Sequence, residues 1–328
     1  MTYVVIVTYG DRRLYLEKVL NYFTGYNSLQ IVIVNNNSDY SVDDLNLGLK
    51  NSNVFIINSA ENKGSAWGYK TGIQHASKHE NCDTIWLLDD DNLPENGTYE
   101  KLNQEFYLKQ QQFPKNNFAL MALRADRKYL TNVASGEPVK WNFPQPNAFL
   151  GFHIFNLHFL ILRKFAGIKP ENNSQTINIP CAPYGGLFFH KDLVNQIGLP
   201  DERFFVYADD FEFTYRINEA RGAIFLVKDA IVIDLEKTWQ IKKYKKLFHS
   251  NAIESETNKV YYATRNFVYF QNKHLIRNKF IFNLNRIVYC NYLSLLSLIK
   301  GKRSNYKRFI IAVEDGLNDR FNNKNYPI

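Results

Sequence analysis

Short apolar runs alternate with helical patterns along the first ninety residues of the chain. Four runs, each bounded by polar or turn-forming residues, predict buried β-strands: Tyr3–Thr8, Gln30–Val34, Val54–Ile57 and Thr84–Leu88. Between the first two, Leu14, Val19, Leu20 and Phe23 give a helix its apolar face, and Asn62 opens a helix that runs to about His79. This alternation predicts parallel βαβ units in an α/β fold.

The fourth run ends in three consecutive carboxylates, Asp89, Asp90 and Asp91, followed by Pro94, which suits the first turn of a helix. Adjacent carboxylates repel one another, and oxygen ligands of this kind suit Mg²⁺ or Mn²⁺. A solvated acidic turn is the simpler alternative. The position of the triplet at a strand end favours a cation site.

Ligands of parallel sheets bind beyond the carboxyl ends of the strands. Thr8, Asn36, Asn62 and the acidic triplet each follow one of the four predicted strands. We therefore expect them to line one crevice.

The pattern loosens from about Phe118, and Trp141–Phe159 reads as strands and long loops. A strand with a glycine pair follows at Pro183–Phe189. An aromatic run then leads into a second acidic pair, Asp209 and Asp210, at the start of a helix. Beyond Asp234 the pattern is mainly helical and basic.

The composition indicates a packed globular protein, with 45% hydrophobic and 15% aromatic residues among 328. The three cysteines, Cys82, Cys181 and Cys290, lack CxxC spacing, which favours a reducing cytosol over a disulfide framework or zinc site. The first apolar run is too short for a signal core.

The net charge of +8 conceals a basic block in the last third of the chain. Between Lys237 and Arg308 there are 16 Lys and Arg residues but 2 Asp and Glu residues. A nucleic acid, an anionic membrane surface or simple solvation of a helical face would each account for the block. The stretch from Ile281 to Ile299 is apolar yet too polar to span a bilayer, and suits the headgroup region.

Five blocks in this order resemble the family 2 glycosyltransferases of GT-A fold, notably bacterial galactofuranosyl- and rhamnosyltransferases. They are Val7-Thr8-Tyr9-Gly10, the segment Ile33–Asp39, Asn62-Lys63-Gly64 with Gly68 and Gly72, the segment Trp86–Asp91, and the segment Phe204–Asp210. The resemblance covers roughly the first 270 residues.

The resemblance implies a metal-dependent enzyme that uses a nucleotide-sugar. It makes Asp89 and Asp91 ligands of Mn²⁺ or Mg²⁺ and places Asp90 by the donor sugar or ribose. The alternative for Asp90 is a helix cap after Pro94. Asp234 stands where the galactofuranosyl branch has a metal-binding His, so it is either a third ligand or a strand-end cap.

Asp210, with its neighbour Asp209, is the candidate general base. A carboxylate facing away from the leaving diphosphate would take a proton from an acceptor hydroxyl, and the transfer would invert the anomeric configuration. Like-charge coupling would raise the basicity of the pair. Ordinary acids at a helix start would look similar.

Thr8, Tyr9 and Asn36 are assigned to the nucleoside, and Asn62 and Gly64 to the donor. Relatives usually have Asp-Asn where this chain has Asn35-Asn36, but an amide oxygen still accepts from a pyrimidine N–H. Tyr9 is equally suited to a core, and the glycines to close helix–sheet packing.

The predicted domains are a GT-A catalytic domain at 1–235, with donor (1–117) and acceptor (118–235) halves, and a helical basic region at 236–328. UDP-galactofuranose is favoured as donor, with dTDP-rhamnose as the alternative, and a lipid-linked glycan as acceptor. We expect peripheral attachment to the cytoplasmic face of the membrane and no nucleic acid, and leave the oligomeric state open.

Other classes fit less well. A Rossmann dehydrogenase would need G-x-G-x-x-G after the first strand, where this chain has Thr8-Tyr9-Gly10-Asp11. A nucleotidyltransferase would need a glycine-rich basic loop there. A non-catalytic glycan-binding protein would not need Asp89, Asp91 and Asp210, and a nucleic-acid-binding protein remains the alternative that the basic block suggests.

Overall fold

The computed structural model describes residues 1–45, 53–156, 174–236, 250–255 and 258–321. Contacts divide the described chain into two compact units. The first comprises the described residues of 1–143, 170–205 and 209–238, and the second those of 144–169, 206–208 and 239–328. The boundaries expected from the sequence, at 117/118 and 235/236, stay a prediction.

The first unit is built on a β-sheet with nine strands in the described residues. The strands are β1 (Thr2–Gly10), β2 (Leu29–Ser38), β3 (Val54–Ser59), β4 (Thr84–Asp89), β5 (Asn92–Pro94), β6 (Phe118–Arg124), β7 (Thr176–Ile179), β8 (Leu187–His190) and β9 (Ala223–Asp234). Their order is β3-β2-β1-β4-β8-β6-β9-β5, and β7 also pairs with β9.

The half of the sheet formed by β3, β2, β1 and β4 is parallel throughout. β8 runs antiparallel to both β4 and β6, so β6 and its parallel neighbour β9 point the same way as β4. The carboxyl ends of six strands therefore meet at one edge. The predicted α/β sheet is confirmed.

Alternate residues of the central strands enter two different cores. In β1, Tyr3, Val5 and Val7 pack in one hydrophobic cluster, whereas Val4 and Ile6 pack in another. This is the two-residue period of a strand that is covered on both faces. The β-branched runs of β1 and β2 suit such a strand.

Helices cover the sheet on both faces. Those of the first unit are α1 (Arg13–Tyr22), α2 (Gly64–Ser77), α3 (Thr98–Gln110), α4 (Lys128–Ala134), α5 (Leu193–Ile197) and α6 (Asp209–Glu219), with 3₁₀ turns at Phe23–Gly25, Val139–Trp141 and Glu202–Phe204. Gly68 and Gly72 of α2 lie against β1, where an added Cβ would stand 2.6 Å from Val7 Cγ1 and 2.3 Å from Val5 Cγ1. These two glycines permit close helix–sheet packing.

The second unit is helical, as predicted for the C-terminal region. Its described elements are α7 (Asn251–Glu254), α8 (Asn258–Phe270), a π-helical turn (Gln271–Leu275), α9 (Lys279–Ile299) and α10 (Arg303–Leu317), with a 3₁₀ turn at Ile154–Asn156. Phe149, Val268, Phe282, Leu296 and Phe309 are buried in its core. Within the described residues no helix is both long and apolar enough to cross a bilayer.

Three local expectations are wrong. Leu14 is 72% exposed, and the buried face of α1 consists of Leu16, Val19 and Leu20. Pro94 ends the short strand β5, and the next helix begins four residues later at Thr98. The apolar run that starts at Phe118 is the central strand β6, where the sequence pattern indicated loose structure.

Candidate active site

The acidic triplet lies at the carboxyl edge of the sheet, directly after β4. Asp89 Oδ1 accepts a 2.6 Å hydrogen bond from the hydroxyl of Tyr69, which is buried in α2. The other oxygen, Oδ2, lies 3.6 Å from Nη1 of Arg124. The side chain of Asp89 is 39% exposed, so this carboxylate faces the open side of the edge.

Arg124, the last residue of β6, is a fully buried cation among carboxylates. Its guanidinium donates to Asn92 Oδ1 at 2.7 Å, to Asp126 Oδ1 at 2.9 Å and to Asp234 Oδ2 at 3.1 Å. With Asp89 it therefore joins the ends of β4, β6 and β9. Buried carboxylates need such pairing, because an unpaired charge is costly away from water.

A second cation, Arg12, reaches the triplet from the loop after β1. Its Nη1 lies 3.1 Å from Asp90 Oδ1 and 3.0 Å from Asp91 Oδ2. Its Nη2 forms an ion pair with Glu236, just beyond β9, and its guanidinium stands 4.8 Å above the ring of Tyr9. Arg12 thus balances the two carboxylates that Arg124 does not contact.

Asp90 is 2% exposed and lies in the turn between β4 and β5, so it does not cap a helix. Burial raises the pKa of Asp90 to about 8, although Arg12 and the hydroxyl of Thr8 act in the opposite direction. Its Oδ2 atom is buried without a hydrogen-bond partner in the described structure. The role of Asp90 beside the donor stays a prediction.

The metal-ligand roles of Asp89, Asp91 and Asp234 stay a prediction. The described residues contain no group of three His, Cys, Asp or Glu side chains placed to hold a metal ion. Asp234 is engaged by Arg124 and by the backbone N–H of Glu236 at 3.0 Å, and its burial raises its pKa to about 7.

Asp89 fits a divalent cation, because its side chain is 39% exposed and Arg124 Nη1 lies 3.6 Å from its Oδ2. Mg²⁺ commonly takes one or two protein carboxylates and completes its shell with water and substrate phosphate oxygens. Asp91 is 6% exposed and both of its oxygens are engaged, Oδ2 by Arg12 at 3.0 Å and Oδ1 by Nδ2 of Asn92 at 2.8 Å. Burial and then proximity to Asp89 raise the pKa of Asp91, so a cation shared with Asp89 would relieve the repulsion between the two carboxylates.

The second acidic pair opens α6 on the same side of the first unit. Asp209 is 3% exposed, accepts a 3.0 Å hydrogen bond from Ser65 Oγ, and burial raises its pKa well above the usual range. Asp210 is half-buried, accepts from the backbone N–H of Phe211 at 2.8 Å, and burial raises its pKa to about 6. Asp89 is near enough to raise that pKa further.

Asn36 and Asn62 organise the loop that opens α2. Asn36 Nδ2 donates to Asn62 Oδ1 and to the Gly64 carbonyl, both at 3.1 Å, while its Oδ1 accepts from the Lys63 N–H at 2.9 Å. The side chain is 2% exposed, so its contacts here are with the loop. Nucleoside binding by Asn36 stays a prediction.

Gly64 and Gly185 are two positions beside the acidic residues where an added Cβ would not fit. Gly64 has φ of 83°, and a Cβ there would stand 2.1 Å from the Phe205 carbonyl oxygen. A Cβ on Gly185 would stand 1.9 Å from Asn92 Oδ1 and 2.5 Å from Arg124 Nη1. Gly185, one of the two adjacent glycines noted in the sequence, therefore leaves room for the buried side chain of Arg124.

Asp89 is close enough to Asp209 and Asp210 to add to the effect of burial on their pKa values, and Thr8, Asn36, Asn62 and Gly64 lie beside the same edge. Tyr9 is 45% exposed there, so it is not a core residue. Sequence reasoning missed Arg12, Tyr69 and Arg124. The sequence did offer one signal for Arg124, since an arginine at the end of an apolar strand indicates a cation at the edge of the sheet.

Comparison with known proteins gives a family match for the N-terminal third of the chain. Residues 3–111 match the model of glycosyl transferase family 2. This part of the chain is a family 2 glycosyltransferase domain. The prediction of that family, with a GT-A type fold, is confirmed.

Two relatives add detail. The galactofuranosyltransferase GlfT1 of Mycolicibacterium smegmatis is 24% identical over 191 residues, which cover 57% of this chain and 55% of the relative. The structure of S. aureus TarS 1–349 in complex with UDP-GlcNAc superposes with a TM-score of 0.51 at 14% identity, covering 98% of this chain and 83% of that one. The chain spans about half the length of its curated relative.

Proposed function

We propose that the protein is an inverting glycosyltransferase that moves a sugar from a UDP-linked donor to a hydroxyl of a growing glycan. The observation that carries the proposal is the position of two acidic groups in the first unit: Asp89–Asp91 follows β4, Asp209–Asp210 opens α6, and Asp89 is close enough to contribute to the raised pKa of both Asp209 and Asp210. One group suits a cation and a diphosphate. The other suits a base acting on an acceptor.

In the proposed reaction, Asp210 accepts the proton of the acceptor hydroxyl while that oxygen forms a bond to the anomeric carbon. The bond from that carbon to the donor diphosphate breaks, and the nucleoside diphosphate leaves with the electron pair. Attack from the opposite face inverts the configuration, so no covalent sugar–enzyme intermediate is needed. Asp209, held by Ser65, lies beside the base, and burial raises the pKa of Asp209 well above its usual range.

Asp89 and Asp91 would hold Mn²⁺ or Mg²⁺, which supplies charge compensation to the departing diphosphate. Arg12, at the same carboxylates, adds a fixed positive charge. Asp90, between the two proposed metal ligands, would lie by the donor sugar or ribose. Each of these roles belongs to the proposal.

Galactofuranose is the proposed sugar, supported by the similarity to a galactofuranosyltransferase and by the sequence blocks. The deciding experiment measures UDP or dTDP release from UDP-galactofuranose, UDP-galactopyranose, UDP-GlcNAc and dTDP-rhamnose, with Mn²⁺ or with chelator. Preference for UDP-galactofuranose supports the full proposal. Turnover of dTDP-rhamnose instead overturns the donor, and no turnover of any sugar overturns the enzyme class.

We also propose that α9 docks on an anionic membrane surface, where a lipid-linked acceptor would lie. One face of α9, with Phe282, Leu293 and Leu296, is buried in the unit's own core. Its other face, here named the outer stripe, is apolar and exposed by 77%, 53%, 58% and 53% at Phe280, Ile287, Leu295 and Leu298. A helix that is apolar on two faces needs a second apolar neighbour.

Charge at both ends of α9 supports a lipid surface as that neighbour. Arg277 before the helix and Lys279 at its first position are exposed, as are Lys300 and Arg303 after it. Each Lys or Arg near an anionic leaflet contributes roughly 1 kcal/mol, and partial burial of each outer-stripe side chain about as much. The basic segment Lys242–Lys246, expected to add to this surface, lies outside the described residues.

Vesicle sedimentation tests this surface. The protein should pellet with phosphatidylglycerol-containing vesicles at low salt, and less so at high salt or with phosphatidylcholine alone. L295S/L298S should lose most of that binding, whereas Leu14→Ser, on α1 and 72% exposed, should keep it. If L295S/L298S and Leu14→Ser both bind the vesicles as well as wild type does, the outer stripe has no role in binding.

A further inference from the structure

The turn that precedes the candidate base has an unusual backbone. Phe205, Tyr207 and Ala208 all have positive φ, at 65°, 68° and 60°, and none is glycine. Each such residue costs about 1–3 kcal/mol and persists only where the surroundings hold it. Ala208 is joined directly to Asp209, so this turn sets the start of α6.

One buried side chain of the second unit holds this turn. Asn266 of α8 is 0% exposed, and its Nδ2 donates to the carbonyls of Val206 at 2.7 Å and Tyr207 at 3.0 Å. Both side-chain hydrogens are therefore used on consecutive peptide groups. Those two carbonyls flank Tyr207 and lead into Ala208, within the strained segment.

The orientation of Asn266 is itself fixed. Its Oδ1 accepts a 2.8 Å hydrogen bond from Nε of Arg265, which is 1% exposed. Arg265 in turn donates to the Phe321 carbonyl at 3.1 Å, and its guanidinium stands 4.7 Å from the rings of Tyr262 and Phe321. The amide thus presents its NH₂ group to the turn.

We propose that Asn266 is a positioning residue that fixes the left-handed turn and thereby the direction of Asp209 and Asp210. The inference rests on the proposed function, because Asp210 is the base only in that reaction. Asn266 touches neither donor nor acceptor in this role. Its loss should therefore lower kcat and leave donor affinity intact.

Asn305 of α10 provides a matched control. It is 4% exposed in the same unit, and its Nδ2 donates to the Ile253 carbonyl at 2.7 Å. Asn→Asp at either position replaces a buried donor by an acceptor with almost no change of shape. Comparable losses of stability are expected in N266D and N305D.

The experiment compares kcat, KM, UDP affinity and the pH profile of N266D, N305D and wild type. We expect kcat of N266D to be about 10- to 100-fold lower than that of wild type, with UDP affinity within twofold of the wild-type value. The acidic limb of the plot of kcat against pH should shift. N305D should keep wild-type kcat and profile. Equal kcat in the two variants, at equal stability, would overturn the proposal.

Where N266D does not fold, Asn266→Ser is a second test, because serine keeps a hydrogen-bond donor on a shorter side chain. An intermediate kcat with an unshifted melting temperature supports positioning. Failure of both variants to fold would make Asn266 a structural residue only. Absence of transfer by wild type would instead contradict the proposed function.

Discussion

Replacement of Asp210 by Asn separates a catalytic base from an ordinary acid at a helix start. The amide keeps the volume of the side chain, and its Oδ1 can still accept the 2.8 Å hydrogen bond from Phe211. The fold should therefore survive. What disappears is the ability to take a proton from an acceptor hydroxyl.

The magnitude follows from general-base catalysis and from the pKa of the group. Removal of a base costs about 10²–10⁴-fold in rate, which corresponds to about 2.7–5.5 kcal/mol. Because burial raises the pKa of Asp210 to about 6, the wild-type carboxyl is mostly ionised at pH 7 and mostly protonated at pH 5. Wild-type kcat/KM should therefore fall about tenfold from pH 7 to pH 5.

The assay is the initial rate of UDP release in the presence of acceptor, from pH 5 to pH 8 at saturating Mn²⁺. The rate of D210N should be low and almost independent of pH between pH 5 and pH 7, and its UDP affinity should be unchanged. Asp192→Asn is the matched control, because Asp192 also precedes a helix but lies beyond β8 at the opposite edge of the sheet. A D210N variant that keeps the wild-type limb, or that loses UDP affinity and turnover equally, would refute the assignment.

Three further substitutions probe the donor side. Asp91→Asn should abolish the Mn²⁺-dependent part of UDP binding measured by calorimetry with the melting temperature preserved, and wild-type Mn²⁺ dependence would contradict its ligand role. Gly64→Ala should lower stability by more than about 1 kcal/mol in thermal unfolding, since φ of 83° and the Phe205 carbonyl leave no room for a Cβ. Arg124→Met should cost about 3–5 kcal/mol in denaturant unfolding by leaving buried carboxylates unpaired, and a loss below 1 kcal/mol would show that the pairing is unimportant.

The parallel half of the fold was predictable because its strands are contiguous apolar runs that end in polar turns. β1 and β4 are buried on both faces, so hydrophobicity alone indicates them. β6, Phe118–Arg124, has the same character and lies between α3 and α4, but the irregular sequence pattern that follows it obscured the strand. Pro94 was misjudged because a proline is equally suited to the end of a short strand.

The acidic residues of the candidate site could be predicted from the sequence, whereas the residues that pair with them could not. Asp89, Asp91 and Asp210 stand at strand and helix ends, where position in the sequence fixes position in space. The pairing of Arg124 with Asp234 joins residues 110 positions apart, and local pattern carries no information on such a contact. The same holds for Asn36, which the sequence assigned to a nucleoside and which the structure engages with the Asn62–Gly64 loop.

The buried guanidinium of Arg124 has a consequence for handling the protein. It is a counter-ion that is covalently part of the chain, so chelators and dialysis cannot remove it. The carboxyl edge thus keeps its shape when divalent ions are stripped away. We expect treatment with EDTA to abolish turnover reversibly while leaving the melting temperature unchanged, so that metal-free protein can be purified, stored and reactivated by adding Mn²⁺.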